Sequence, residues 1–385
     1  MKILIVGVDG YLGWPLALTL VEQGYDIIGV DCGLRRTLVK KQKSHSAIPI
    51  ATLDDRLNRL KKKHRKRKIL SAVGNIVDYS FVHNILEEVK PDVIVHLGEI
   101  PSAPYSMIDV HSATYTQMNN IFGTLNILYA MHAVCPKAHL IKLGTMGEYG
   151  TPNIDIPEGF IDIEQNGRTD TLPFPKQAGS WYHQSKVHDT NNIMMASKIW
   201  GLRVTDIMQG VVYGTRIDEM GDDPMASTRL DFDQSFGTVI NRFCCQATIG
   251  APLSIYGIGQ HKRSFLPLKD SMRCLSLVIE NPPKNGEYRV FNQFADVFSI
   301  VELAEIVCAA GKECGLQVVE ESIKNPREEA IQHYYNPECK KLKKLGYIPT
   351  GDIFTEVKTM LIDLAKHKAR IDEKADALNP SISWR

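Results

Sequence analysis

The chain opens on a short apolar run, Lys2-Ile-Leu-Ile-Val-Gly7, that passes directly into Gly7-Val-Asp-Gly10-Tyr-Leu-Gly13. A β-branched run of this kind reads as a parallel strand buried on both faces. An amphipathic segment from Trp14 to Gln23 follows, and a second strand from Asp26 to Val30 ends at Asp31. Strand, glycine turn, helix and returning strand make a β-α-β unit. Its glycines let the backbone approach a pyrophosphate at a helix N-terminus. The loop residues Gly7, Asp9, Gly10, Tyr11, Leu12 and Gly13 are therefore the first cofactor candidates. An acidic residue at the end of the second strand is placed to hold an adenosine ribose 2′-OH, so Asp31 favours NAD over NADP. Arg35 and Arg36 suit a 2′-phosphate, but Asp31 would repel it, and NAD is retained.

The α/β alternation then continues. Strands are expected at Ile69 to Val73, Asp92 to Gly98, His139 to Gly144 and Arg203 to Met208. Helices are expected at Tyr79 to Val89, Val110 to Cys135 and from Tyr182 through Trp200. The fold class is α/β, a Rossmann-type doubly wound parallel sheet with a smaller C-terminal α/β substrate-binding domain. The expected division is residues 1–210 for NAD and 211–385 mainly for substrate, with some chain crossing back. Residues 37–68 form a polar insertion ending in Lys61-Lys-Lys-His-Arg-Lys-Arg-Lys68, which reads as a solvated face rather than a nucleic-acid patch. Residues Asp218 to Asp231 read as an irregular acidic loop over the site, and Phe236 to Ile249 as a helix.

Composition excludes several classes. Lys+Arg (45) balances Asp+Glu (44), so no global charge points to nucleic acid or a membrane surface. The eight cysteines lack any metal-ligand spacing and read as reduced thiols, with no metal site expected. No apolar run reaches the ~18 residues a membrane helix needs. The start on a strand suggests no signal segment, and a cytoplasmic protein is expected.

Tyr182 and Lys186 stand four residues apart, on one face of the expected helix. A phenol beside an ammonium is a tunable acid–base pair, and the cation is expected to lower the Tyr182 pKa from its usual ~10. Thr145, at the C-terminal end of a parallel strand, would sit at the rim where such sheets bind ligands. Asn119 and Asn120 interrupt an apolar helical stripe and must find partners at a bulge or at the site.

The spacing Gly-x-x-Gly-x-x-Gly, followed in order by Asp31, Asn119, Thr145, Tyr182 and Lys186, resembles the extended short-chain dehydrogenase/reductases. Longer blocks narrow the likeness: Ser102-Ala-Pro-Tyr-Ser-Met-Ile-Asp109, the run from Lys142 to Asp155, Asn166 to Pro173, Tyr182 to Asp189, Gln209 to Gly214, Arg289 to Phe294 and His333 to Asn336. These resemble the UDP-sulfoquinovose synthase family across essentially the whole chain, down to Pro380-Ser-Ile-Ser-Trp384. The resemblance implies conversion of UDP-glucose and sulfite to UDP-sulfoquinovose with bound NAD, for sulfolipid or sulfonated glycan synthesis. It also implies a homodimer through the two long helices, with a sulfite-supplying partner protein as one option. Further cofactor contacts are implied at Asn75, Ile76, Leu97, Gly98, Glu99, Asn119, Tyr182, Lys186, Gln209 and Val212. Substrate contacts are implied at Ser102, Tyr105, Met146, Gln209, Asn241, Arg242, Tyr256, Arg263, Arg327 and His333, with the arginines on the diphosphate.

The chain departs from related dehydratases, in which an Asp-Glu pair follows the threonine. Here Met146-Gly147 follow, and the first carboxylate is Glu148. His183, which titrates near neutral pH, is the preferred proton carrier for elimination, with Glu148 second. Met146 leaves the pocket without a carboxylate to repel an anion. The other readings are a UDP-glucose 4,6-dehydratase or 4-epimerase, and a cofactor-binding subunit without turnover.

Overall fold

A computed structural model describes residues 1–327 and 334–383, so His333 and Trp384 lie outside the described residues. Strands β1 (Lys2–Val6), β2 (Asp26–Asp31), β3 (Ile69–Val73), β4 (Val93–His96) and β5 (His139–Thr145) pair in parallel with two later strands, Arg203–Gln209 and Tyr288–Gln293. The spatial order is Tyr288–Gln293, Arg203–Gln209, β5, β4, β1, β2, β3, a seven-stranded doubly wound sheet. Alternation divides the core: Ile3, Ile5, Val95 and Ile141 pack on one face, and Leu4, Val6, Ile94 and Leu140 on the other. Both faces are covered, which is why these strands read as continuous apolar runs.

Helix α1 (Gly13–Glu22) leaves only its last residue exposed. The insertion folds as α2 (Leu34–Lys41) and α3 (Leu53–Lys63). Thr52 caps α3 by accepting from the Asp55 amide; Asp54 and Asp55 in the first turn and Lys61 to Lys63 in the last both complement the helix dipole. The basic run is partly spent on local pairs, Lys63 to Glu22 at 2.6 Å and Arg67 to the Gly24 carbonyl at 2.6 Å.

The segment expected as one helix from Val110 runs to Val134 but contains a π turn at Met118–Phe122, centred on Asn119 and Asn120. The Asn120 amide explains it. Its Oδ1 accepts from the Ile100 amide at 2.8 Å, and its Nδ2 donates to Ser185 Oγ at 2.9 Å, tying the turn to the helix Trp181–Trp200. Beyond the sheet, helices Val239–Ile249, Ile300–Glu313 and Ile353–Ala365 enclose a second core around Phe243, Phe265, Val307 and Leu361. An antiparallel ribbon, Phe160–Gln165 with Arg168–Pro173, packs its base at Phe160 on Tyr288 of the edge strand; its Asn166-Gly167 turn has φ of 53° and 73°, the backbone a tight hairpin needs.

Candidate active site

A cavity of about 630 Å³ opens at the C-terminal ends of β1, β2, β4, β5 and Arg203–Gln209, where doubly wound sheets bind ligands. Its far wall comes from the C-terminal half, including Asn241, Arg242, Tyr256, Arg263 and Arg327.

The dinucleotide end is shaped by absent side chains. Gly7 has φ of 89°, and a Cβ there would meet the Leu97 carbonyl carbon at 2.8 Å. A Cβ at Gly13 would stand 2.1 Å from the Gly7 oxygen. The start of α1 therefore lies bare against the cavity. Asp31 is aimed by the loop itself, its Oδ2 accepting from the Asp9 amide at 2.9 Å and Oδ1 from the Gly33 amide at 2.8 Å. A backbone cradle with a carboxylate at the strand end fits the pyrophosphate and ribose of NAD. All the dinucleotide residues expected from the sequence line the cavity except Asp9 and Arg36. These two turn onto each other: Arg36 Nε lies 2.5 Å from Asp9 Oδ2, and Nη2 2.9 Å from Oδ1. Their placement corrects the expectation that both face the cofactor; an ion pair is stronger than the exposed alternative when a second arginine, Arg56, shares the same carboxylate.

At the reacting end, Thr145, Tyr182, His183 and Lys186 line one wall together with Met146. Thr145 is in register with Gln209 across the sheet, and its Oγ accepts from the Gly147 amide at 3.1 Å. Ser180 caps the helix Trp181–Trp200 and holds His183 twice: Oγ accepts from the His183 amide at 3.2 Å and lies 3.0 Å from Nδ1. His183 is thereby held against Gly147, where a Cβ would stand only 2.3 Å from Nε2. The missing side chain at position 147 is the space the imidazole fills. The sequence reading missed Ser180, although a serine opening a helix three residues before a histidine was a visible cap signal.

Three expectations fail here. Glu148 does not reach the cavity. The short 3-10 turn Met146–Glu148 folds it back as a capping box, with Oε1 accepting from the Thr145 amide at 3.3 Å. It is fully buried against Lys142 at 3.2 Å and also pairs with Lys176; burial pushes its carboxyl up, but the two lysines outweigh this and hold it down to about 2. A carboxylate so held cannot carry protons near neutral pH. Tyr105 also misses the cavity, its ring stacked on Phe236 at 5.5 Å. The third concerns Tyr182, which is raised rather than lowered, first by burial and then by the Glu99 and Glu148 carboxylates. Lys186 is committed elsewhere, its Nζ paired with Glu99 and donating to the Leu143 carbonyl at 2.5 Å. Glu99 also lies 3.4 Å from His96, whose imidazole burial drives down to about 3 and keeps neutral.

Behind this wall lies a dry charge cluster. Lys142 Nζ reaches Glu148, Asp206 at 3.4 Å, Thr190 at 3.1 Å and the Lys186 carbonyl at 3.3 Å. Burial pulls its ammonium down, but Asp206 and Glu148 more than compensate and hold it above its usual value. Asp189, also fully buried, is pushed well above its usual value by burial and by Glu99. The sign of the linkage follows. The folded state keeps a proton that the unfolded chain releases above ~4, so Asp189 costs stability as pH rises. In Asp189→Asn, the thermal midpoint is expected to exceed wild type by a few degrees at pH 8, and the gap to close toward pH 4.

Residues 3–292 match the model of the NAD dependent epimerase/dehydratase family. The UDP-sulfoquinovose synthase of Sulfolobus acidocaldarius is 46% identical over 386 residues, covering 100% of this chain and 98% of that protein. The chloroplastic UDP-sulfoquinovose synthase of Spinacia oleracea is 46% identical over 384 residues, covering 100% and 79%. Among solved structures, the UDP-glucose 4-epimerase of Thermotoga maritima superposes with a TM-score of 0.69 at 19% identity, covering 95% of this chain and 99% of that one, a likeness of fold. This chain belongs to the NAD dependent epimerase/dehydratase family, in its UDP-sulfoquinovose synthase branch.

Proposed function

We propose that this protein is a cytoplasmic UDP-sulfoquinovose synthase that joins sulfite to the glucose of UDP-glucose. The observation that carries this reading is the wall itself. Thr145, Tyr182 and Lys186 stand beside Met146 and Gly147, and His183 fills the space over Gly147, opposite Arg242, Arg263 and Arg327. NAD, when bound, supplies the acceptor and then the donor of a hydride at C4. Tyr182 is placed to take the proton of the 4-hydroxyl and return it at the end, because the positive charge of bound NAD would offset the Glu99 and Glu148 carboxylates that raise its phenol, while Thr145 orients the 4-oxygen. Lys186, paired with Glu99, stands on the same wall. The 4-ketone acidifies H5; His183 removes that proton and passes it to the departing 6-hydroxyl, which leaves as water. Sulfite adds to C6 of the resulting enone, and C5 regains a proton. Met146, 5% exposed, offers no negative charge to repel sulfite. The arginines grip the diphosphate, Arg242 Nη1 already donating to the Tyr256 hydroxyl at 3.1 Å.

Mass spectrometry of the protein incubated with UDP-glucose, with and without sulfite, tests this. A sulfonated product that forms only with sulfite is expected. A UDP-4-keto-6-deoxyglucose or UDP-galactose product regardless of sulfite would sink the reading in favour of the dehydratase or epimerase. No turnover with NAD bound would assign sulfite delivery to a partner protein.

The homodimer belongs to the same reading. Phe122, Tyr129, Met195 and Ile199 are each more than half exposed along the segments 110–134 and 181–200. Paired copies would bury this stripe, and Phe122→Asp is expected to weaken association on the order of 30-fold or more, the weight of a central aromatic anchor. Light scattering over a dilution series would report it. Among the described residues, no helix is long and apolar enough to cross a membrane.

A further inference from the structure

Asp9 sits in the glycine turn yet lies outside the cavity that the turn lines. Its backbone amide serves Asp31 from one side, donating to Oδ2 at 2.9 Å. Its carboxylate serves the insertion from the other. Arg36 grips it with two nitrogens, and Nη2 donates also to the Ala51 carbonyl at 2.7 Å. Arg56 Nη2 pairs with the same Oδ1; Arg56 is 1% exposed, with its guanidinium 4.4 Å from the centre of the Trp14 ring. Arg35, by contrast, stays on the cavity wall, 4.2 Å from the centre of the Phe236 ring and 3.6 Å from Asp231.

An arginine just beyond the second strand is the usual receiver of a 2′-phosphate on the adenosine ribose. A guanidinium binds phosphate best through two parallel N–H groups, and a fork already filled by a carboxylate has lost that geometry. We propose that Asp9 sets the preference for NAD over NADP from outside the cavity, by withdrawing the Arg36 fork from the adenosine ribose. Asp31 then repels a 2′-phosphate, and Asp9 withdraws one of the two neighbouring cations that would attract it. The two acts are separate, because one residue faces the ribose and the other faces the arginine. Arg56 makes the withdrawal durable. It is buried, needs Asp9 as its counter-ion, and so holds the carboxylate in place even when solvent competes for Arg36.

The test reads bound nucleotide rather than turnover. Native mass spectrometry of the protein equilibrated with equal NAD and NADP gives the occupancy ratio directly. Asp9→Asn keeps an acceptor for Arg56 but loosens Arg36, and is expected to raise the NADP share at least about tenfold, a shift of ~1.4 kcal/mol. Asp9→Asn with Arg36→Met is expected to return to the wild-type ratio. An unchanged ratio in a folded Asp9→Asn protein overturns the proposal, as does a rise that survives in the double variant. Should Asp9→Asn fail to fold, Arg36→Met alone decides. An unchanged ratio is expected, since the fork is already withdrawn, and a roughly tenfold fall in the NADP share overturns it.

Discussion

Replacing Tyr182 by Phe is expected to lower turnover of UDP-glucose with sulfite by on the order of 10²–10⁴, the usual worth of a positioned acid–base group. Bound NAD should be retained, because the substitution removes one oxygen and leaves the ring beside His183, 5.0 Å between centroids. The backbone at this point is anchored independently, the Tyr182 amide donating to Ser106 Oγ at 3.0 Å. Product formation by chromatography and the 260/280 nm absorbance ratio would check both halves. Retention of more than about a tenth of the activity would move the 4-hydroxyl proton to another group. The loss is large because neither Glu148 nor Lys186 is free to substitute. Glu148 is locked beneath the turn, and Lys186 is paired with Glu99.

Lys142→Met is expected to cost about 3–5 kcal/mol of folding stability, the range for a buried pair broken on one side. Lys142 is wholly buried, and its removal takes the lysine from Asp206 and leaves Glu148 with Lys176 alone. Denaturant midpoints at fixed pH would measure the loss. Adding Glu148→Gln is expected to recover part of it, because the amide removes one of the two carboxylate charges that Lys142 had balanced. A loss below about 1 kcal/mol would mean that water reaches the cluster. The acid side has a definite sign. Glu148 is held below its usual value in the fold, so its stabilisation is complete above the unfolded pKa near ~4.3 and fades as pH falls toward 2.

What could be read from the sequence and what could not divide along a physical line. The β-α-β unit, the strand ends and the Tyr182–Lys186 helix were legible, because periodicity and glycine placement act locally. The π turn was half legible: Asn119 and Asn120 announced a defect, but only the packed Ile100 loop and Ser185 decided its form. Side-chain direction was not legible. Glu148 is three residues past Thr145, and whether it faces the cavity depends on the dihedrals of one short turn. The partners of Asp9 lie 27 and 47 residues away, in an insertion whose basic run suggested only a solvated face. Glu99 was expected as a cofactor contact, and nothing in its spacing suggested that it would claim the catalytic lysine. The Asn166-Gly167 hairpin was present as a turn signal and went unread as structure.

The order in which the sheet is completed bears on how the protein is made. Gln209 and Gln293, the ends of the two outermost strands on one side, are 84 residues apart, and the Gly210 amide closes on the Gln293 carbonyl at 2.8 Å. On a ribosome working at about 5–20 residues per second, the finished strand Arg203–Gln209 waits roughly 4–17 s for its neighbour. During that interval a buried-type strand stands as an open edge, the form most prone to pairing with another chain. Synthesis rate through the intervening segment therefore sets how long that edge stays open.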